Sequence, residues 1–306
     1  MPRYQVVASV ENNPYMVWQA MLFHASCVRH LGQSPIIVVH MDDGDLLSGY
    51  RQIEASGGCV QIAPTYRRVN GVNYPPRNTA ASLRHVDTDA DAIVLCDPDM
   101  VFLQPIDWDS LGLSDRQVNF DRVGYLDANV ARYQPAVDNV CIAAGIDPST
   151  LRNPNYNGGV PHVIPMRHRR ELSDSWLELM ELFPDLPPCG PEDPGARPRE
   201  CHIGPQKDWL CTMWALAMSV ERLGLEPVLT DLCITTQDGE RPLPALEPTG
   251  PFLIHYCYDS AGFRKHQFDT LEAATKSVWQ LPGGDGTVSG AIREELRHTC
   301  EFYGLA

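Results

Sequence analysis

The sequence predicts an α/β fold around a mainly parallel sheet. Through the first hundred residues, short apolar runs alternate with segments of helical period, the pattern of strands joined by crossover helices. At 306 residues the chain is long enough to bury roughly three quarters of the surface that its unfolded form exposes. No internal repeat or low-complexity linker divides it, so a single compact unit over 1–306 is the simpler expectation.

Tyr4 to Val10 is the first apolar run. Pro14 then opens a helix that carries Tyr15, Trp18, Met21, Leu22 and Ala25 at i, i+3, i+4 spacing. Pro35 to His40 reads as a buried strand. Leu46, Leu47, Tyr50 and Ile53 mark a second helix that stops at Gly57-Gly58. Cys59 to Ile62 is the third strand, and a helix from about Asn78 to Val86 leads into the fourth, Ala92 to Cys96. Farther on, Val160 to Ile164 reads as a strand and Arg167 to Phe183 as an amphipathic helix. Seven prolines between Phe183 and Pro205 break regular structure, so 184–205 is expected to be a loop and a candidate lid. Pro205 starts another helix that reaches Leu223-Gly224. Ile254 to Tyr258 is the last strand, and Ser289 to Tyr303 the closing helix.

Lys and Arg number 24 against 39 Asp and Glu, a net charge of −15. Nucleic-acid affinity rests on many Lys and Arg contacts to phosphate, so this balance excludes a backbone-binding nucleic-acid protein. It also fits poorly with an anionic membrane surface. The longest apolar run, Trp209 to Val220, falls short of the ~18 residues of a membrane span, and the N-terminus has no signal-peptide pattern. A cytoplasmic protein without a membrane span is expected. The ten cysteines are scattered and form no C-x-x-C pair, as free thiols in a reducing compartment do. Cys189, Cys201, His202 and Cys211 cluster in sequence, but their spacing matches no familiar zinc pattern.

The sharpest local feature is Ile93-Val94-Leu95-Cys96-Asp97-Pro98-Asp99-Met100-Val101-Phe102, a buried strand that ends in two carboxylates. In open α/β sheets ligands bind outside the carboxyl ends of the strands. Two carboxylates there can hold Mg²⁺ or Mn²⁺, which complete their shells with phosphate oxygens. The expected role is a diphosphate clamp that stabilises a departing nucleotide. Two other readings stand beside it. Asp-Pro-Asp is good turn chemistry in its own right. Asp97 to Val101 also satisfies the D-x-D-x-[TV] pattern of haloacid-dehalogenase-like phosphatases, in which Asp97 is the nucleophile. That family carries the motif near the start of its core, whereas about ninety residues precede it here.

Five short elements follow one another between about residues 12 and 260. They are Asn13-Pro14-Tyr15-Met16-Val17-Trp18-Gln19, Asn73-Tyr74-Pro75-Pro76-Arg77, Asp97 to Ile106, Trp209-Leu210-Cys211-Thr212-Met213-Trp214 and Ile254-His255-Tyr256. In that order they resemble the P-Y-x-x-W-Q, N-x-P, D-x-D, W-x-x-E-M-Y and I-x-H-Y elements of GT-A glycosyltransferases. Within these, the resemblance is to the hydroxyproline O-arabinosyltransferase and peptidyl-serine galactosyltransferase group.

The resemblance implies a GT-A fold, a Rossmann-like mixed sheet flanked by helices. It also implies transfer of arabinose or galactose from a UDP-sugar to a hydroxyl acceptor (peptide, amino acid or small molecule), with retention. It places Mn²⁺ (or Mg²⁺) on Asp97, Asp99 and His255, a ligand set that suits Mn²⁺. Taken alone, a histidine ending an apolar strand is more often a core residue. Ala8, Ser9 and Tyr15 become candidates for holding the uracil-like base, with the Tyr15 ring able to stack. Tyr15 and Trp18 also fit as core aromatics on a helix face, and Trp18 is expected there. Arg77 and Lys265 are candidate diphosphate or sugar contacts, or else solvated surface charges. Asn157-Gly158-Gly159 resembles the N-x-G element that lines the sugar site of several retaining transferases, and a plain turn explains it nearly as well. Gln206 and Asp208 are candidate catalytic groups that face the reacting sugar, or ordinary first-turn residues beside a helix dipole. One position departs from the pattern, with Thr212 where the family has Glu. Threonine is neither a carboxylate base nor a counter-charge to an oxocarbenium-like sugar. A non-catalytic nucleotide-sugar-binding module therefore stays open as a second reading.

Overall fold

The computed structural model describes residues 3–69, 72–112, 114–126, 128–129, 134–183, 210–235, 241–260, 262–270, 272–274, 276 and 284–305. The first strand, β1 (Tyr4–Glu11), passes into α1 (Pro14–Leu31) through a built start signal. Asn13 accepts a hydrogen bond from the Met16 N–H at 2.9 Å, and Pro14 takes the first helical position. The helix ends at Gly32, whose φ of 65° is the left-handed conformation that glycine adopts without a Cβ penalty. β2 (Ile36–His40), α2 (Ser48–Ala55), β3 (Cys59–Ala63), α3 (Arg77–His85) and β6 (Ala92–Cys96) continue the alternation, with a short β4–β5 hairpin (Arg68–Val69, Val72–Asn73) between β3 and α3.

The second half adds β7 (Met100–Phe102), β8 (Gln117–Arg122), α4 (Gln134–Ala144), β9 (Gly158–Pro165), α5 (Arg169–Leu182), α6 (Leu210–Arg222), β10 (Glu226–Thr230), β11 (Cys233–Thr235), β12 (Leu253–His255) and α7 (Val288–Phe302). The main sheet has the order β10-β8-β9-β6-β1-β2-β3. β9 runs antiparallel to both its neighbours, and the other pairings are parallel. Successive residues alternate between two cores, as the period of a strand dictates. Val6, Ala8 and Val10 belong to one core with Met21 and Phe23 of α1, while Val7 and Leu95 belong to another with Leu83 of α3 and Trp176 of α5. A smaller sheet, β11-β12-β7, packs with Trp18, Leu22 and α7 in a third cluster.

β7, β8, α4, β10 and β11 carry no clear sequence pattern. In β8 the polar residues Asn119 and Asp121 are buried alternately with Val118 and Phe120, which hides the strand from an apolar-run reading. The last strand stops at His255, three residues before the expected end at Tyr258. The proline-rich stretch 184–205 lies outside the described residues, as do Cys189, Cys201 and His202 of the cysteine cluster. No helix among the described residues is long and apolar enough to cross a membrane.

Asp121 supplies a stability prediction. It is 4% exposed, and it accepts the Leu232 N–H at 2.5 Å. Burial pushes its pKa from 3.8 up to about 7. The folded chain therefore holds a proton that the unfolded chain releases between these two values. Stability from this group is full below about pH 4 and is lost as pH rises through about 7. Asp121→Asn is expected to raise the melting temperature at about pH 8 and to flatten its fall across that window. Thermal melts showing an unchanged pH slope would overturn this.

Candidate functional site

The main sheet and the small sheet share one junction, where β6 ends. The chain leaves β6 at Cys96, turns through Asp97-Pro98-Asp99 and enters the small sheet as β7. β12 lies antiparallel to β7 with His255 opposite Met100, and the Tyr256 N–H continues the ladder by donating to the Asp99 carbonyl at 2.9 Å. This register brings His255 Nε2 to 3.3 Å from Asp99 Oδ1 and 3.6 Å from Asp97 Oδ2. One ligand atom from each of the three residues lies within 4.8 Å of the others, so the group is able to hold a metal ion. Lys265 Nζ closes the set with a hydrogen bond and ion pair to Asp99 Oδ2.

The charges in this group divide their protons unevenly. Burial, with the neighbouring Asp99 charge, raises Asp97 to about 6. Burial acts on Asp99 in the same direction, but Lys265 and His255 outweigh it and hold that carboxyl well below the usual range. For His255 burial favours the neutral form, and Cys257 and Asp99 reverse this to hold its pKa well above the usual value. Lys265 stays charged because Asp99 overrides its burial.

Asp97, Asp99 and His255 line a cavity of ≈ 280 Å³. Of the residues predicted from sequence, Ser9, Tyr15, Asp97, Asp99, His255 and Lys265 line it. Tyr15 stacks on His266 at 6.1 Å between centroids, whereas Trp18 is wholly buried and donates its Nε1–H to the Phe268 carbonyl at 3.0 Å. Trp18 is thus the core aromatic that the helical spacing predicts. Ala8 is fully buried beneath α1 and is not among the cavity's lining residues. Arg77 is neither at the cavity wall nor a solvated surface charge. Its guanidinium is buried and donates to the carbonyls of Tyr66 and Leu177 and to Glu181 Oε1, which ties α3 to α5. Gln206 and Asp208 lie outside the described residues.

Gly158 and Gly159 open β9, and Asn157 accepts the Val123 N–H through its carbonyl at 3.2 Å. A Cβ on Gly158 would lie 2.0 Å from Phe120 Cβ, so this glycine is required for strand packing rather than for a turn. Gly158→Ala is expected to cost about 1–3 kcal/mol of stability. Denaturant titration showing an unchanged midpoint would contradict that packing account.

Glu11, Asn78, His162 and Trp176 also line the cavity without having been singled out for it by the sequence, and so does Thr212, at the position where the resembled family has Glu. Glu11 ends β1 as Asp97 follows β6, so the strand-end rule could have found it. Its carboxylate accepts from Arg67 at 2.8 Å and Asn78 at 3.1 Å, and burial raises its pKa. His162 lies in mid-strand between apolar residues, and no sequence signal marks it.

No protein-family model and no curated protein sequence matches the chain. Solved structures do resemble it. One is the apo WbbM bifunctional glycosyltransferase, at 11% identity and a TM-score of 0.50, covering 99% of this chain and 51% of that one. Another is the galactosyltransferase LgtC in complex with donor and acceptor sugar analogs, at 10% identity and a TM-score of 0.51, covering 97% of this chain and 95% of that one. The chain therefore spans about half the length of WbbM. At these identities the likeness is one of fold, and the fold is the GT-A type, a mixed sheet flanked by helices with the acidic motif at the end of a central strand.

Proposed function

We propose that this chain is a metal-dependent glycosyltransferase. In this reading it moves a sugar of the galactose or arabinose class from a UDP-sugar to an acceptor hydroxyl, with retention. It acts as one GT-A domain in the cytoplasm, and the proline-rich stretch 184–205 contributes to acceptor choice. The observation that carries this is the meeting of Asp97, Asp99 and His255 within 4.8 Å on the wall of one cavity, at the carboxyl end of β6. Their donors are oxygen and nitrogen only, which fits Mn²⁺ or Mg²⁺. When bound there, such an ion would supply charge neutralisation to the departing diphosphate. Lys265 is placed beside Asp99 to add a second positive charge at the same oxygens. Tyr15 and Ser9 line the part of the wall assigned to the base. Gln206 and Asp208 are proposed to face the reacting sugar. The acceptor hydroxyl then attacks the face from which UDP leaves. The likeness in fold to WbbM and LgtC supports the transferase class, and a structure holding both donor and acceptor analogs suits a cleft for two substrates.

The test is calorimetric titration of UDP with and without Mn²⁺, followed by UDP release from UDP-galactose and UDP-arabinose over an acceptor panel. Metal-dependent binding with release supports the transferase. Binding without turnover over a broad panel favours the non-catalytic module. Phosphate release from phosphoesters without a sugar donor favours the phosphatase reading of Asp97. A further expectation concerns pH. Asp97 titrates at about 6 and His255 holds its proton well above its usual value, so protons compete with the metal. Mn²⁺ affinity should rise as pH climbs through about 6, where Asp97 ionises, and go on rising above neutrality as His255 releases its proton, and a flat profile would contradict this ligand set.

A further inference from the structure

Tyr15 lines the cavity, and two other rings hold it in place. Trp18, one helical turn farther on, meets it edge to face at 6.4 Å between centroids. His266 lies against its face at 6.1 Å, with the two planes only 18° apart. A ring has two faces. His266 covers one of them and is not among the residues of the cavity wall, so the Tyr15 ring stands between the imidazole and the cavity.

His266 is itself fixed from several sides. It sits in a single 3₁₀ turn, Lys265–Gln267, between Phe263 and Phe268 of the third core cluster. The Phe268 N–H donates to the Lys265 carbonyl at 3.1 Å, and the Phe268 carbonyl accepts from Trp18 Nε1 at 3.0 Å. The turn is thereby tied to the helix that carries Tyr15. The imidazole is held as well, because its Nδ1–H donates to Asp259 Oδ1 at 2.9 Å. Half of this side chain is exposed, and exposed ion pairs contribute little to stability. What the Asp259 contact does fix is the orientation of the ring behind Tyr15. The preceding residue, Lys265, reaches Asp99, so one turn of backbone serves both the proposed diphosphate cation and the backing of Tyr15. A base that stacks on a ring already held in place avoids the cost of ordering a freely turning side chain.

We propose that His266 is a positioning residue for nucleotide binding, backing Tyr15 so that the base stacks on the opposite face of that ring. This rests on the UDP-sugar reading above, which assigns Tyr15 to the base. The experiment titrates UDP, with Mn²⁺ present, into wild type, His266→Ala, His266→Phe, Tyr15→Ala and the double variant Tyr15→Ala, His266→Ala. His266→Ala should weaken UDP binding about two- to twelvefold, the equivalent of the one aromatic pair that it removes. His266→Phe keeps a ring at that place and should restore most of the loss. The double variant should bind UDP no more weakly than Tyr15→Ala, because His266 acts through the Tyr15 ring. Both His266 variants should melt close to wild type, since the side chain is half exposed.

His266→Ala with wild-type UDP affinity overturns the proposal. So does a loss of equal size with and without the Tyr15 ring, which would mark an effect through the adjacent Lys265. A His266→Phe protein as weak as His266→Ala also overturns it, since the imidazole would then act through its nitrogens rather than its face. Tyr15→Ala that binds UDP as wild type does removes the stack and leaves the donor reading standing. Wild type that fails to bind UDP with Mn²⁺ removes the donor reading and the stack together.

Discussion

Asp99→Ala is expected to abolish Mn²⁺-dependent UDP binding and to lower sugar transfer by on the order of 10³-fold. Two effects are superimposed in that single variant. Asp99 is a proposed metal ligand, and it is also the counter-ion of a buried lysine, their side chains being 9% and 10% exposed. Removing one partner of a buried pair leaves the other charge uncompensated and costs about 3–5 kcal/mol. Loss of binding in Asp99→Ala alone does not distinguish a lost metal ligand from a lost fold. The double variant Asp99→Ala, Lys265→Met separates the two, because it removes the stranded charge along with the carboxylate. It should melt close to wild type and bind no Mn²⁺ in a titration with the metal alone, a readout that does not depend on Lys265, which is itself assigned to the diphosphate. If the double variant binds Mn²⁺ as wild type does, Asp99 is not a metal ligand, and the motif reverts to a turn around Pro98.

How far this site was legible in the sequence depends on which contacts are local. Asp97 and Asp99 stand at the end of an unbroken apolar run, and the strand-end rule locates them without any tertiary knowledge. The first five main-sheet and helical elements were legible for the same reason, since Pro14 and Gly57-Gly58 punctuate strong apolar patterns. His255 is different. Only the antiparallel pairing of β12 with β7 brings it to Asp99, and a three-residue strand carries little periodicity to predict that pairing. Family resemblance, not spacing, pointed to it. Arg77 shows the opposite case. Sequence alone offered a phosphate contact or a surface charge, and the partners that fix it, the Leu177 carbonyl and Glu181, come from a helix about a hundred residues later. β8 was lost because buried Asn119 and Asp121 interrupt its apolar face, a local pattern that tertiary burial overrides.

Tyr15 and Trp18 share one helix, and Tyr15→Ala should lower affinity alone, whereas Trp18→Ala should lower stability first. Trp18→Ala is expected to cost about 3–5 kcal/mol, the range for emptying a large buried aromatic site. Trp18 is fully buried, stacks on Tyr256 at 6.0 Å and meets Phe263 and Phe268 at 6.5 and 5.8 Å. Tyr256 in turn donates its N–H to the Asp99 carbonyl and its hydroxyl to the Pro98 carbonyl at 3.4 Å, so the cluster braces the acidic turn from behind. The damage should therefore reach the proposed metal ligands as well as the melting temperature. Tyr15→Ala removes a ring that is only partly buried and lines the cavity, so stability should change by less than about 1 kcal/mol. UDP affinity should instead fall roughly 5- to 150-fold, the equivalent of the ~1–3 kcal/mol that one base–aromatic stack contributes. Chemical denaturation and UDP titration on the two variants read both quantities. Tyr15→Ala with wild-type UDP affinity would move the base to another wall of the cavity. A Trp18→Ala protein of unchanged stability would mean that the third core cluster does not hold the small sheet in place.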